Sequence, residues 1–226
     1  MADLTATDVS FAFGHQPPLF DRLNLTVRTG EAVVLVGENG CGKTTLLRLL
    51  AGMLEPSQGV VCLNGTPVTE QRGRVGILFQ NPDHQMIAPT VEEEIALGLE
   101  LRGTPGEVMR PVVDGLLERF ALEPMRTRSP ESLSGGQKQR VALAAIMAFR
   151  PLFLLFDEPD SYLDAPSRRD LLSAVEEIRG EVGMVWTTPN PRRRPRADCL
   201  LFLERGRIRE LSESELTACT QTDVPA

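Results

Sequence analysis

With 226 residues the chain is long enough to bury its own core and falls within the usual range of a single domain. Its 24 Lys and Arg against 31 Asp and Glu leave a net charge of −7, which argues against a general nucleic-acid binder. No apolar run approaches the roughly 18 residues that span a bilayer, and Met1-Ala2-Asp3-Leu4 lacks the basic-then-apolar pattern of a signal peptide. A cytoplasmic protein is expected, with any membrane contact made through a protein partner, because no amphipathic anchor or lipidation motif is visible. Cys41, Cys62, Cys199 and Cys219 show neither disulfide-scaffold density nor metal-binding spacing and read as free thiols.

The N-terminal part reads as β-structure: an apolar-rich strand over residues 8–13, a turn at 14–18, and strict alternation over 23–27. Residues 32–36 form a continuous apolar run, as in a strand buried on both faces, and lead through a Gly-rich turn into a helix over 44–50. Strands are expected at 60–63, closed by the Asn64-Gly65 turn, and at 75–79. From about residue 90 to 149 the pattern is helical. Pro111 is assigned a first helical position, with Val112, Val113, Leu116, Leu117 and Phe120 on one face. Ser134-Gly135-Gly136-Gln137 has the S-x-x-Q form of a capping box, opening an Ala-rich helix that Pro151 ends. Strands at 152–156 and 184–186 flank a helix over 168–178, and this alternation implies a mostly parallel sheet covered on both sides. The polar tail after about residue 212 is expected to fray.

Gly37-Glu38-Asn39-Gly40-Cys41-Gly42-Lys43-Thr44 matches G-x-x-x-x-G-K-[ST] in full, between a predicted strand and a predicted helix. Glycines let backbone N–H groups curl around phosphate oxygens, and the helix start adds positive potential. Lys43 then reaches the terminal phosphates and Thr44 offers its hydroxyl to Mg²⁺. A chance match in an ordinary βα turn is rejected because the flanking elements the chemistry needs are also present. The strand at 152–156 ends in Asp157-Glu158, a pair that divides the work of a triphosphatase: Asp157 holds Mg²⁺ and Glu158 polarises the attacking water.

Leu133-Ser134-Gly135-Gly136-Gln137, about ninety residues after the loop, resembles the signature of the ATP-binding-cassette family, and the likeness runs from Phe11 to about Arg209. The resemblance implies an α/β phosphate-loop NTPase cassette: a mostly parallel core sheet, an antiparallel β subdomain and a helical signature subdomain. The nucleotide-binding core with its β subdomain would take about 1–89 and 150–211, the helical subdomain about 90–149, and 212–226 would be a flexible tail. It also implies a head-to-tail dimer with a second cassette subunit, each ATP held between residues 37–45 of one subunit, Thr45 included, and Ser134, Gly135, Gly136 and Gln137 of the other. Phe13 stands where the family stacks an aromatic ring on adenine, Gln80 where a glutamine touches Mg²⁺ and the attacking water, and Asp164 where an aspartate crosses the dimer interface. Lys43, Gln80 and Glu158 are the implied catalytic residues, and Thr44, Gln80 and Asp157 the implied Mg²⁺ site.

Phe79-Gln80-Asn81-Pro82-Asp83-His84-Gln85, followed by Ala88-Pro89-Thr90-Val91-Glu92-Glu93-Glu94, looks like the ATPases of energy-coupling-factor importers of vitamins or cobalt and nickel ions. In that group this segment meets a transmembrane coupling protein, and the acidic cluster would accept its arginines, unless it is only a solvated helix start favoured by the helix dipole. One position departs from the family: Thr188 stands where a histidine contacts the terminal phosphate, which implies slowed hydrolysis in the site built on this subunit. After it, Pro189, Pro191 and Pro195 argue against a helix, and Arg192, Arg193, Arg194 and Arg196 read as a solvated loop or a contact for an acidic surface. Two other functions compete with a transport motor: a regulatory cassette subunit with weak hydrolysis, and a soluble non-transport cassette. The single cassette without a cysteine cluster favours transport.

Overall fold

A computed structural model describes residues 1–212. The strand expected at 8–13 is longer and earlier: β1 is Asp3–Phe11, and its antiparallel partner β2 is Phe20–Arg28. β1 shifts register between Ala6 and Val9, where Asp8 stands at φ 48°, and again between Val9 and Phe11, and Phe13 lies beyond its end. In β2 the apolar alternation is realised as buried Phe20, Leu23, Leu25 and Val27 with exposed residues between them. β3 (Ala32–Val36) is buried throughout and feeds α1 (Lys43–Leu50). β4 (Gln58–Leu63) and β5 (Thr66–Pro67) are joined at Asn64-Gly65, both with positive φ, as a tight hairpin requires. β6 is Val75–Leu78, and three helices follow: α2 (Val91–Leu101), α3 (Gly106–Arg119) and α4 (Gly135–Ala148). β7 (Phe153–Asp157), α5 (Ala165–Glu177), β8 (Gly183–Thr188), β9 (Cys199–Glu204) and β10 (Arg207–Glu210) complete the described chain.

The strands form two sheets. One is antiparallel, in the order β2-β1-β4-β5; the other runs β10-β9-β3-β8-β7-β6 and is parallel except for β10. β3 explains how they share a core. Its odd residues Val33 and Leu35 join a cluster with Phe20, Leu46, Leu47 and Leu63, between the two sheets and α1. Its even residues Val34 and Val36 join Phe156, Trp186, Leu117 and Leu143 on the side of α2 to α5. A strand buried on both faces therefore reads as an unbroken apolar run.

Two expectations need correction. Pro111 is inside α3 rather than at its start, six residues into a helix that begins after Pro105. The helix survives a proline there because Pro111 and Glu107 are both exposed, so the carbonyl of Glu107, deprived of its helical donor, is open to water, while Val113, Leu117 and Phe120 anchor the opposite face. The second concerns β9 and β10, which the sequence reading did not assign. They form a hairpin through Arg205-Gly206, both with positive φ, and β9 pairs with β3. Cys41, Cys62 and Cys199 are free, and Cys219 lies outside the described residues, as does the expected flexible tail from residue 213 onward.

Candidate nucleotide site

The loop between β3 and α1 ends in a helix start without a cap. Gly42 occupies the N-cap position at φ 108°, and no side chain satisfies the first-turn N–H groups, leaving them directed at the space in front of the helix. Only glycine suits this position: a Cβ would lie 2.9 Å from the ring of Phe20, on a backbone that side chains avoid. Gly37 is equally constrained, with a Cβ there falling 2.8 Å from the carbonyl of Leu203 in β9. Glu38, Asn39 and Gly40 form the exposed rim, Cys41 and Thr45 are half-buried, and burial pushes the Cys41 thiol up.

Four of the expected site residues meet here. Lys43 is almost fully buried, and its Nζ donates to the carbonyls of Gly37 at 2.7 Å and Glu38 at 2.9 Å and pairs with Glu158 Oε1 at 3.0 Å. Thr44 Oγ1 donates to Asp157 Oδ1 at 2.8 Å. β7 delivers both acids to the end of the sheet: Asp157 is its last residue and is buried, and Glu158 follows at φ 45° with Oε2 accepting from Ser161 Oγ. Burial pushes the Asp157 carboxyl above its usual range, opposed by the hydrogen bond from Thr44. A desolvated carboxylate beside a hydroxyl is a donor set that suits a hard divalent cation, so Thr44 and Asp157 fit Mg²⁺.

Gln80 sits two residues beyond β6, and since Leu78 pairs with Phe156, it leaves the same sheet edge as Glu158. Its backbone is gripped from the signature helix: Gln139 Nε2 donates to the carbonyls of Phe79 and Gln80 at 3.2 and 3.3 Å. Lys138 pairs with Asp83 at 2.5 Å, Gln85 bridges Phe79 N and Ile77 O, and buried Glu94 accepts from the N–H groups of Ile87 and Ala88. Sequence reasoning missed Gln85, Glu94, Lys138 and Gln139 as loop-holding residues; the one available signal was the polar side chains of Glu94 and Gln139 on otherwise apolar helix faces. Each member of the acidic cluster has a partner within the chain, with Glu93 exposed and Glu92 half-buried. Glu92 pairs with Arg126, Glu93 with the hydroxyl of Thr90, and Glu94 holds the loop.

Ser134 forms the expected capping box with Gln137, and Ser134 and Gly135 are exposed. Gly136 is buried: a Cβ would lie 2.5 Å from Cβ of Ser167, so this glycine lets α4 pack on α5. No hydrogen bond joins 134–137 to the loop at 37–44 among the described residues. Asp164 caps α5 by accepting from Ser167 N at 2.9 Å, and the Ser167 hydroxyl together with this N–H holds its carboxyl below the usual range. Phe13 is 48% exposed, its ring edge-on to Phe11 at 4.9 Å. Thr188 is buried, and its Oγ1 donates to Asn190 O and accepts from Asn190 N. The arginine stretch 192–196 is a loop, as expected.

A strand, a glycine cradle and a helix start, with lysine, threonine and two acids converging on it, define a phosphate-loop nucleoside triphosphatase. A family profile described as "ABC transporter" matches residues 20–161, and the chain belongs to that family. It is similar to the energy-coupling factor transporter ATP-binding protein EcfA1 of Symbiobacterium thermophilum, 39% identical over 221 residues that cover 91% of this chain and 77% of the relative. It is also similar to the cobalt import ATP-binding protein CbiO of Syntrophus aciditrophicus, 40% identical over 198 residues, 84% of this chain and 70% of that one. Among solved structures, CbiO1 of Clostridium perfringens, described as part of the ABC transporter complex CbiONQ, superposes with a TM-score of 0.84 at 26% identity, covering 96% of this chain and 91% of that chain. The chain is thus an ABC ATPase that uses ATP with Mg²⁺.

Proposed function

We propose that this chain is the ATP-hydrolysing subunit of an energy-coupling-factor-type importer of a vitamin or a transition-metal ion, working at the cytoplasmic face of the membrane. The observation that carries the reading is the convergence of Lys43, Thr44, Asp157 and Glu158 in front of the uncapped start of α1, joined to relatives named as ATP-binding subunits of such importers. In this reading Lys43 and the loop N–H groups of residues 37–45 bind the phosphates, and Thr44, Asp157 and Gln80 hold Mg²⁺, which neutralises charge on the phosphate oxygens. Glu158 takes the proton of the attacking water once its contact with Lys43 opens. Phe13 stacks on adenine, and Ser134, Gly135 and Gln137 close over the ATP of a second cassette subunit, with Gly136 setting how α4 stands on α5.

No helix among the described residues is long and apolar enough to cross a membrane, so transport requires a transmembrane partner. A groove of about 630 Å³ lined by Asp83, Met86, Ile87, Pro89, Ser129 and Glu131 offers that partner a seat of mixed polar and apolar character, with Ile87 78% exposed at its lip. The groove adjoins the loop that carries Gln80, which links docking to the site. The test is magnesium-dependent ATP binding by the purified chain, followed by ATPase activity of the chain co-expressed with its coupling membrane protein in liposomes. Absence of ATP binding, or hydrolysis indifferent to the membrane protein, overturns the reading.

A specific observation supports a slow site. The Thr188 hydroxyl donates its single hydrogen to Asn190 O and also accepts from Asn190 N, so it has no hydrogen left to donate to a terminal phosphate. Thr188→His is expected to raise steady-state hydrolysis by about 10-fold or more, the lower part of the range for a positioned charged donor. An unchanged rate, with ATP affinity retained, counts against the slow site.

A further inference from the structure

Glu158 stands on a backbone that a side-chain-bearing residue adopts only under constraint. Its φ of 45° lies in the left-handed region, which a β-carbon disfavours and which persists only where neighbours hold it. The cause is the abrupt end of β7: Asp157 still pairs with Thr187 across the parallel ladder, and Glu158 has left it. The Glu158 N–H is caught by a side chain instead, donating to Thr187 Oγ1 at 3.1 Å.

Thr187 is fully buried. Its hydroxyl hydrogen points to Phe156 O at 3.1 Å, with Asp157 Oδ1 at 3.4 Å as the alternative acceptor. One hydroxyl therefore stands among three consecutive residues, accepting from the N–H of Glu158 and donating to the Phe156 carbonyl or, in its place, to the Asp157 carboxylate. Nothing in the packing of a central parallel strand asks for an oxygen there; valine fills the same volume, and a buried hydroxyl is a cost unless bonded.

We propose that Thr187 is a positioning residue for hydrolysis: its hydroxyl sets where the Glu158 carboxylate stands relative to the Thr44–Asp157 pair, without touching the nucleotide. The inference rests on the reading of Glu158 as the hydrolytic base. A base must come within hydrogen-bond reach of the water it deprotonates. A left-handed residue freed from its acceptor relaxes toward extended backbone and carries its carboxylate away, which lowers the rate and leaves phosphate binding intact.

The experiment compares Thr187→Val with Thr187→Ser in the full chain. In the nucleotide-free protein, amide exchange at Glu158 followed by NMR is expected to quicken by about 10-fold or more in Thr187→Val and to stay near wild type in Thr187→Ser. With magnesium and ATP, calorimetric affinity should hold within about 2-fold in both, while single-turnover hydrolysis drops by about 10-fold or more in the valine variant only. Should Thr187→Val fail to fold, Thr187→Ala is read against Thr187→Ser in the same way. Valine or alanine variants that exchange and hydrolyse like wild type, or lose affinity in proportion to rate, or a serine variant as slow as valine, overturn the proposal. A wild-type chain that binds ATP without ever hydrolysing it overturns the role of Glu158 and this inference together, whereas wild-type hydrolysis with an indifferent valine variant overturns Thr187 alone.

Discussion

The two helix starts that carry the glycine motifs end in opposite ways. At α1 the N-cap is Gly42 in the left-handed region with no side-chain cap, and the one lysine nearby is held by the Gly37 and Glu38 carbonyls and by Glu158. At α4 the N-cap is Ser134, and the reciprocal box with Gln137 satisfies donors on both sides. The first terminus has no side-chain cap; in the second the box meets two of the orphan donors, and the Ser134 hydroxyl has a hydrogen to offer outward. The same elementary device, a helix start with glycines, is thus left uncapped in one place and closed by a serine-led box in the other. The surroundings decide which. Gly42 and Gly37 make room for a cradle, whereas Gly136 makes room for α5.

That contrast can be broken by substitution, beginning with the largest effect. Lys43→Ala is expected to weaken magnesium–ATP binding by about 10- to 100-fold, the ~1.5–3 kcal/mol of a charged hydrogen bond, whereas Ser134→Ala leaves the affinity of the isolated chain unchanged; calorimetry reads both. Gly136→Ala, which drives a Cβ into Ser167, should cost ~1–3 kcal/mol of stability by overpacking, visible as a lower midpoint in urea. Ser134→Ala comes next: loss of its cap on α4 costs about 1 kcal/mol and lowers the Tm by roughly 2–4 °C in a chain of this size.

The smallest effect is a pH dependence at the α1 site. Asp157 is raised by burial, so at neutral pH its ionised form opposes folding. The penalty is absent where folded and unfolded states both carry the proton, below the ordinary carboxylate value of ~3.9, and it grows as pH rises through the folded value. Asp157→Asn is therefore expected to raise the Tm of the nucleotide-free chain at neutral pH, with the gain shrinking toward pH ~4. A thermal series from acid to neutral checks it, and a gain of equal size at both ends means that burial is not the cause.

Much of the scaffold was legible because it obeys short-range rules. The unbroken apolar runs at 32–36 and 152–156 became fully buried strands of the parallel sheet, and S-x-x-Q at 134 became a capping box. The errors lie where local rules compete with packing. Pro111 was given a helix start because proline favours it, yet the apolar face of α3 carries the helix through the proline. β9 and β10 lie outside the expected elements: Arg205-Gly206 is a turn pair that follows the apolar run of β9, but β10, Arg207-Ile208-Arg209-Glu210, has no apolar pattern to mark it as a strand. The glutamates at 92–94 read as one acidic cluster, yet Glu92 pairs with distant Arg126 while Glu93 and Glu94 are engaged by the residues just before the helix.

By itself the sequence determined the chemistry expected of the cradle, since Gly37 to Thr44 match their motif in residue type and spacing within a single strand–loop–helix unit, and Asp157-Glu158 stand at the end of a second apolar run. Only the tertiary structure decided how those groups are held: that Glu158 pairs with Lys43, that Thr187 on a neighbouring strand catches the N–H of Glu158, and that Gln139 of α4 grips the backbone at Gln80. The physical reason is distance along the chain. A motif encodes contacts within a few residues of itself, while hydrogen bonds spanning 29 or 59 residues exist only after sheet pairing and helix packing have brought their partners together.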